Sequence, residues 1–405
     1  MNYNETLNYI HSLGAFSHKA SLERIEKVMS KLNNPQNDFK AIHIAGTNGK
    51  GSVCTFVSSV LKESGYMVGK FVSPYITDFC ERIQINDRFI SRDDLCRLSQ
   101  KVIDTGVALT EFEFITAVGF LYFSENNIDV AVVETGLGGR FDATNVLPSP
   151  LVSVITKISL DHTAVLGDTI EQITPEKCGI IKNNTVVTTP NQDSAALAII
   201  KKHSDNTIIP KINLLEKVNI SLLGNAFIYD NAEYTTSLGG EYQIDNVLTA
   251  IEVLKNCGLN INQTDMQIGL SNAFLPARLE VVSQNPLIVV DGAHNPDGAE
   301  ALSQVLKEHQ NSTAIIGVMK DKNYGELLHK TLPYFKNIIC ITPDVPRALP
   351  ADELAESAKP YCDNVFAEDN FDTAIALAKQ KCDGKPIFIY GSLYLASQMR
   401  PYFKK

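Results

Sequence analysis

Tryptophan is absent, and no two of the eight cysteines are close in sequence. They fall at Cys54, Cys80, Cys96, Cys178, Cys257, Cys340, Cys362 and Cys382. No CxxC pair exists, which excludes the common zinc and dithiol redox spacings. Buried, reduced thiols are the expectation. No apolar run reaches the roughly 18 residues that a membrane-spanning helix needs. Positive charge is in deficit: 36 Lys and Arg against 46 Asp and Glu leave a formal net charge of −10. That argues against a nucleic-acid or anionic-membrane partner. Any anionic substrate must be held by local cations and backbone amides. The opening "MNYNETLNYIHSLGAF" has no Lys or Arg and no apolar h-region, so it does not read as a secretory signal, and the cytoplasm is expected. Internal repeats and low-complexity segments are also missing.

What is present is an ordinary globular composition, with 44% hydrophobic and 20% charged residues. A chain of 405 residues suggests roughly two or three domains. "FKAIHIA" (39–45) reads as a buried strand, "SVCTFVSSVLKESG" (52–65) as a helix, and the glycine-rich "GTNGKGS" joins them. Further strands are expected at 67–72, 129–134 and 151–158, with helices between them, notably 112–126. Continuous apolar strands alternating with helices predict a parallel sheet covered on both faces. Residues 218–235 alternate instead, and predict a hairpin turning at Gly224-Asn225. The helical pattern stops near Pro276. Beyond it "LIVVDGAHN", "TAIIGVM", "NIICIT" and "KPIFIYG" repeat the strand-then-helix pattern. The reading is an α/β chain of two domains, 1–277 and 278–405. The first is a phosphate-loop-type parallel-sheet domain with a small hairpin subregion; the second is a smaller Rossmann-like α/β domain.

The glycine-rich loop departs from the usual phosphate-loop pattern G-x-x-x-x-G-K-[ST]. Only Thr47 and Asn48 separate Gly46 from Gly49-Lys50, and Gly51 splits Lys50 from Ser52. Its setting, strand before and helix after, still favours phosphate over a plain tight turn. Inward-turned amides and the positive helix end would cradle phosphate, Lys50 would neutralise it, and Ser52 would bind phosphate or Mg²⁺. Glu134 ends a strand, a position suited to ligating a hard cation or to capping the next helix. Asp161 and His162 follow another strand, and His162 reads equally as ligand or structural residue. Lys177 sits in an apolar helical stretch, where a lowered pKa and CO₂ uptake are possible, although a snorkelling lysine is the plainer reading. Asp291, His294 and Asn295 mark the strand-to-helix turn of the second domain, and Arg278 at the junction is a candidate second cation for a phosphate.

With these segments in view, the sequence resembles the folylpolyglutamate synthase/dihydrofolate synthase family of the Mur ligase superfamily. The resemblance runs from about residue 3 to 400 and rests on seven segments in the family's order. These are "GTNGKGS", "SPYITDFCERIQIN", "VVETGLGGRFDATN", "DHTAVLG", "EKCGIIK", "PARLE" and "DGAHNP". It implies that the short loop, Gly46, Thr47, Asn48, Gly49, Lys50, Gly51 and Ser52, binds ATP, with Arg278 and Asp291 contacting ATP from the second domain. It implies Mg²⁺ ligation by Ser73, Glu134 and His162. Lys177 matches a lysine that the family carries as a carbamate beside a second Mg²⁺, which reverses the plainer reading. His294 matches a residue near the glutamate and γ-phosphate, and Lys50, Lys177 and His294 are the implied catalytic residues. Tyr75, where many relatives have His, and Ala277, where Gly is usual, depart from the pattern.

The resemblance implies an ATP-dependent amide ligase. Its partners would be L-glutamate and dihydropteroate or reduced folates, and its oligomeric state a monomer. Both folylpolyglutamate synthase and dihydrofolate synthase activity are expected, and three other readings remain: an enzyme with one of these activities alone, a Mur-type peptidoglycan ligase, opposed by "ERIQIN" and "EKCGIIK", and a nucleotide switch or motor that makes no product.

Overall fold

The computed structural model describes residues 1–14 and 21–403. The chain divides into two compact units. The first comprises Met1–Glu216, Tyr229–Tyr234 and Asp245–Ala273; the second comprises Lys217–Ile228, Thr235–Ile244 and Phe274–Lys405.

The first unit is built on an eight-stranded sheet. Its strands are β1 (Lys40–Ala45), β2 (Val68–Phe71), β3 (Ile83–Ile85), β4 (Arg88–Phe89), β5 (Val130–Glu134), β6 (Val152–Ile155), β7 (Thr185–Thr188) and β8 (Thr207–Ile208). They lie in the order β4-β3-β2-β5-β1-β6-β7-β8. Pairing is parallel from β2 through β8, with β3 and β4 added as an antiparallel edge. β5, "VAVVE", is buried at every position, as a strand covered on both faces must be. The helix Glu111–Glu125 covers one face, with Phe114, Phe120 and Phe123 packed in the same core as Phe71 and Val133. It starts at a capping box in which Thr110 and Glu113 satisfy each other's backbone amides. Arg24 then grips the same Glu113 carboxylate through two nitrogens.

Two expectations shift. The helix after the glycine-rich loop spans Lys50–Glu63, so Lys50 is its first residue and Gly49, at φ 92°, is its N-cap. The alternating stretch is not one hairpin but three strands, β9 (Leu215–Ser221), β10 (Gly224–Tyr229) and β11 (Ala232–Thr236), in the order β11-β10-β9. Gly224 opens a strand rather than forming the turn. Its φ is 136°, and a Cβ there would strike the Thr236 carbonyl oxygen. The second turn falls at Asp230-Asn231, both left-handed at φ 53° and 62°, as the favoured two-residue hairpin turn requires.

The second unit holds a six-stranded sheet. Its strands are β12 (Glu280–Gln284), β13 (Leu287–Val290), β14 (Ser312–Ile316), β15 (Phe335–Ile341), β16 (Val365–Glu368) and β17 (Ile387–Tyr390), in the order β12-β13-β17-β14-β15-β16. All pairs are parallel except β12 with β13. Its core gathers Val289, Leu302, Ile316, Ile338 and Phe388. The helix Pro296–Glu308 begins with proline, which lacks the N–H that would go unpaired there, and Asn295 caps the Gly298 amide at 2.8 Å.

One buried ion pair ties the start of this sheet to the C-terminus. Arg400 donates to Glu280 through Nε at 2.6 Å and Nη2 at 3.0 Å, and the two side chains are 4% and 7% exposed. Glu280 also accepts from the Ala277 amide at 2.9 Å. Removing one partner of such a pair strands a buried charge. Arg400→Met is therefore expected to destabilise folding by about 3–5 kcal/mol, and adding Glu280→Leu to recover part of that loss. Urea unfolding of the two variants measures both.

Candidate active site

β1 lies between β5 and β6, so the loops leaving the carboxyl ends of these three parallel strands meet. Open α/β sheets bind ligands at such strand ends. The loop after β1 is shaped by its glycines. Gly46 (φ 154°) passes so close to Thr156 that a Cβ would collide with Oγ1, and a Cβ on Gly49 would collide with Asn246 Oδ1. The loop after β6 braces it. The Thr47 and Asn48 amides donate to the Lys157 carbonyl at 2.8 and 3.2 Å. Thr47 Oγ1 donates to the Ser159 carbonyl at 3.0 Å, and the Ser159 amide donates back at 3.1 Å. The first amides of the Lys50–Glu63 helix have no partners within their own helix, and Gly49 supplies no side chain to cap them. The arrangement is a helix end prepared for an anion.

Two amines converge on this loop. Lys50 Nζ donates to the carbonyls of Gly46 (3.2 Å) and Thr47 (3.1 Å) and stands 3.9 Å from Glu134 Oε1. Lys177, from the helix Ile170–Cys178, donates to the same Gly46 carbonyl at 2.8 Å. Lys177 is 4% exposed. Burial, and then the neighbouring Lys50 charge, bring its pKa down to about 7; Asp161 and Asp142 pull the other way. Burial thus favours the neutral amine, the form from which a lysine reacts with CO₂.

Glu134 is buried at the end of β5, and its Oε2 lies 3.5 Å from the Ser73 amide. Ser52, in the first turn of the Lys50–Glu63 helix, is buried. His162 stands on a half-exposed turn at φ 52°, heading the short helix Thr163–Leu166, with Nε2 3.8 Å from Asp161 Oδ2. Among the described residues no group of three or more His, Cys, Asp and Glu side chains is placed to hold a metal. The site therefore does not have the make-up of a protein-only metal cage. A buried strand-end carboxylate beside a glycine-rich loop fits Mg²⁺, which is commonly held by one or two carboxylates together with substrate phosphates.

Three residues with no role assigned from sequence complete this side. Asp142, nearly wholly buried, accepts from the Gly136 and Leu137 amides at 2.9 Å each, from the Thr144 amide at 3.0 Å, and from Thr144 Oγ1. Burial pushes its carboxyl up, and these donors oppose the shift. His43, inside β1 and fully buried, pairs Nε2 with Thr144 Oγ1 at 2.8 Å. Burial holds its pKa down at about 3. The strand's apolar pattern hid His43; its only signal was an imidazole within "AIHIA".

In the second unit, Arg278, Asp291 and His294 gather at the carboxyl end of β13. Asp291 is buried and accepts from the Leu279 and Ala293 amides, both at 2.8 Å. Burial raises its carboxyl, and Arg278 opposes that. Arg278 Nη1 donates to the Ala277 carbonyl at 2.9 Å. Ala277 itself is left-handed at φ 53°, a conformation that glycine adopts with least strain. His294 Nδ1 lies 2.8 Å from the Gly292 carbonyl, which places a proton on that nitrogen.

A glycine-rich strand-to-helix loop with two lysines and a strand-end glutamate lies in one α/β unit, a second α/β unit carries its own acid and histidine turn, and the family matches define the class as a Mur-type ligase. Residues 44–254 match the Mur ligase middle domain, and residues 277–393 match the Mur ligase, glutamate ligase domain. The folylpolyglutamate synthase of Lacticaseibacillus casei is 37% identical, covering 99% of this chain and 98% of its own. The dihydrofolate synthase/folylpolyglutamate synthase of Bacillus subtilis (strain 168) is 35% identical, covering 99% of both. The folylpolyglutamate synthase of Mycobacterium tuberculosis, solved in complex with ADP, superposes with a TM-score of 0.90 at 27% identity, over 100% of this chain and 98% of that one. The chain belongs to the folylpolyglutamate synthase/dihydrofolate synthase family.

The Lys177 environment makes a stability prediction. Its pKa of about 7 lies below the ordinary lysine value of 10.5. Between those values the unfolded chain binds more protons, so stability rises with pH across that window. Below pH 7 the full penalty of a charged buried amine is present. Lys177→Met is therefore expected to raise Tm in bicarbonate-free buffer at pH 7. The gain should shrink as pH approaches 10, which a set of thermal melts at stepped pH would resolve.

Proposed function

We propose that the chain is an ATP-dependent ligase that joins L-glutamate to the carboxyl group of a folate or pteroate. The observation that carries this reading is the meeting of Lys50, Lys177 and Glu134 at the carboxyl end of β1. It occurs in a chain that matches folate-named glutamate ligases along its whole length. Residues 1–277 are assigned to nucleotide binding and 278–405 to the glutamate-ligase half. Localisation in the cytoplasm and a monomeric state belong to the same proposal; among the described residues no helix is long and apolar enough to cross a membrane.

The acceptor carboxylate attacks the γ-phosphorus of ATP. A carbon-bound oxygen–phosphorus bond forms, the bond to the bridging β–γ oxygen breaks, and ADP leaves. The resulting acyl phosphate has a good leaving group where the acid had a poor one. The glutamate amine then attacks the acyl carbon, phosphate departs, and the nitrogen loses its proton. Little covalent chemistry falls to the protein, whose task is positioning and charge neutralisation. Gly46, Thr47, Asn48, Gly49, Gly51 and Ser52 cradle the phosphates, and Lys50 neutralises them. Arg278 and Asp291 are assigned to further ATP contacts. His294, its proton fixed on Nδ1, is assigned to the glutamate and γ-phosphate.

Ser73, Glu134 and His162 are the residues assigned to hold Mg²⁺, which when bound neutralises phosphate oxygens. Lys177 is assigned as the carbamate-forming residue. Its neutral amine forms a nitrogen–carbon bond to CO₂ and releases a proton, turning an uncharged amine into an oxygen-bearing anion suited to a hard metal.

Purified protein with ATP, Mg²⁺, labelled glutamate and either dihydropteroate or a reduced folate should release ADP in a glutamate-dependent way and form a glutamyl product. No such release with any folate or pteroate acceptor would sink the reading. Lys177→Ala should reduce turnover by at least about 100-fold. Equal rates for this variant and for bicarbonate-treated wild type would remove the carbamate role and leave the ligase reading standing.

A further inference from the structure

We propose that His43 is a positioning residue for the ligase reaction, acting through Thr144 and Asp142 on the turn that follows Glu134. The inference rests on the functional reading above for what the turn does; the hydrogen-bond chain stands on geometry alone.

The direction of that chain follows from counting hydrogens. Asp142 Oδ2 accepts from the Gly136 and Leu137 amides, and Oδ1 accepts from the Thr144 amide and hydroxyl. Three of these donors are backbone amides, which favour the ionised carboxylate, a group with no proton to give. The single hydroxyl hydrogen of Thr144 is therefore committed to Asp142, and Thr144 Oγ1 can only accept from His43 Nε2, 2.8 Å away. The imidazole is the neutral tautomer with its proton on Nε2. His43 Nδ1 is buried and, among the described residues, has no hydrogen-bond partner.

A space-filling role alone does not account for histidine here. Its neighbours in β1, Ile42 and Ile44, fill buried space with hydrocarbon and leave no polar atom unpaired. An imidazole with a buried, unpartnered nitrogen is a destabilising choice unless its donor is needed. The far end of the chain shows the need. Gly136 and Leu137 lie just beyond Glu134, and the intervening Thr135 amide still pairs with the Ile44 carbonyl of β1. β1 thus holds the turn twice: directly by its backbone, and through His43, Thr144 and Asp142 from the side. Glu134 immediately precedes both anchors, 3.9 Å from Lys50. Within this frame, loss of the His43 donor lets the Thr144 hydroxyl and the Asp142 carboxylate turn, and Glu134 loses its fixed place beside the loop.

The test compares His43→Leu, His43→Gln, Thr144→Val and the double variant His43→Leu/Thr144→Val with wild type. His43→Leu and Thr144→Val should each lower kcat by about 10- to 100-fold, the range seen when a partner behind a ligand is removed. The double variant should be no worse than the poorer single one, because both break one chain. His43→Gln, whose amide nitrogen reaches the Nε2 position, should recover most of the loss. A readout apart from turnover is the rise in Tm on adding Mg²⁺ with a non-hydrolysable ATP analogue. It should be smaller in His43→Leu than in wild type or His43→Gln. Full kcat in His43→Leu, equal damage from Gln and Leu, or additive losses in the double variant would overturn the proposal. If His43→Leu does not fold, Thr144→Val keeps the threonine shape and tests the same link. A wild type that makes no glutamyl product would count against the functional reading alone, since the Tm comparison does not need that reaction.

Discussion

Two amines bonded to one carbonyl oxygen set the terms for the rest of this site. Lys50 and Lys177 both donate to the Gly46 carbonyl. At an effective dielectric near that of a protein surface, two unit charges a few ångströms apart repel by about 3–4 kcal/mol. The fold answers in two ways: Glu134 stands beside Lys50, and burial makes Lys177 ready to give up its proton. Incoming phosphate would relieve the remaining positive charge. A protein with ten more negative than positive residues has here brought two lysine amines onto one loop carbonyl.

The position of this pair of amines follows from strand order. β1 lies at the point in the sheet from which the chain runs outward on both sides, with β5 on one flank and β6 on the other. Each strand contributes its following loop: the glycine-rich turn from β1, Glu134 from β5, and the Lys157–Ser159 brace from β6. Lys177 reaches in from a helix much later in the chain. The second unit repeats the logic on a smaller sheet, where buried Asp291 fixes two loop amides at the end of β13.

Much of this was legible in the residues. Apolar strands ending in glycine, glutamate or aspartate marked the strand ends of both sheets, and the helix after Gly49 was visible apart from its first turn. Other features were hidden for physical reasons. The Gly224-Asn225 pair is a turn signal by composition, yet Gly224 is required by a close approach to the Thr236 carbonyl, a contact that sequence spacing does not encode. His43 read as one position of a buried strand, because nothing local says which buried side chain donates a hydrogen bond. Asp142 lay inside a recognised segment but showed its work only as an acceptor for amides of the preceding turn.

The sequence by itself determined the class: the order of strands and helices, the shortened glycine loop, and the set of charged residues at strand ends are all local patterns. Only the tertiary structure decided which of those charges share a partner. Lys177 is 127 positions after Lys50 in the chain, yet both amines reach the Gly46 oxygen. A lysine's pKa depends on how much water and how many like charges surround it. Those quantities exist only once distant segments have packed together, which is why a plain surface reading of Lys177 was open in the sequence and is closed in the fold.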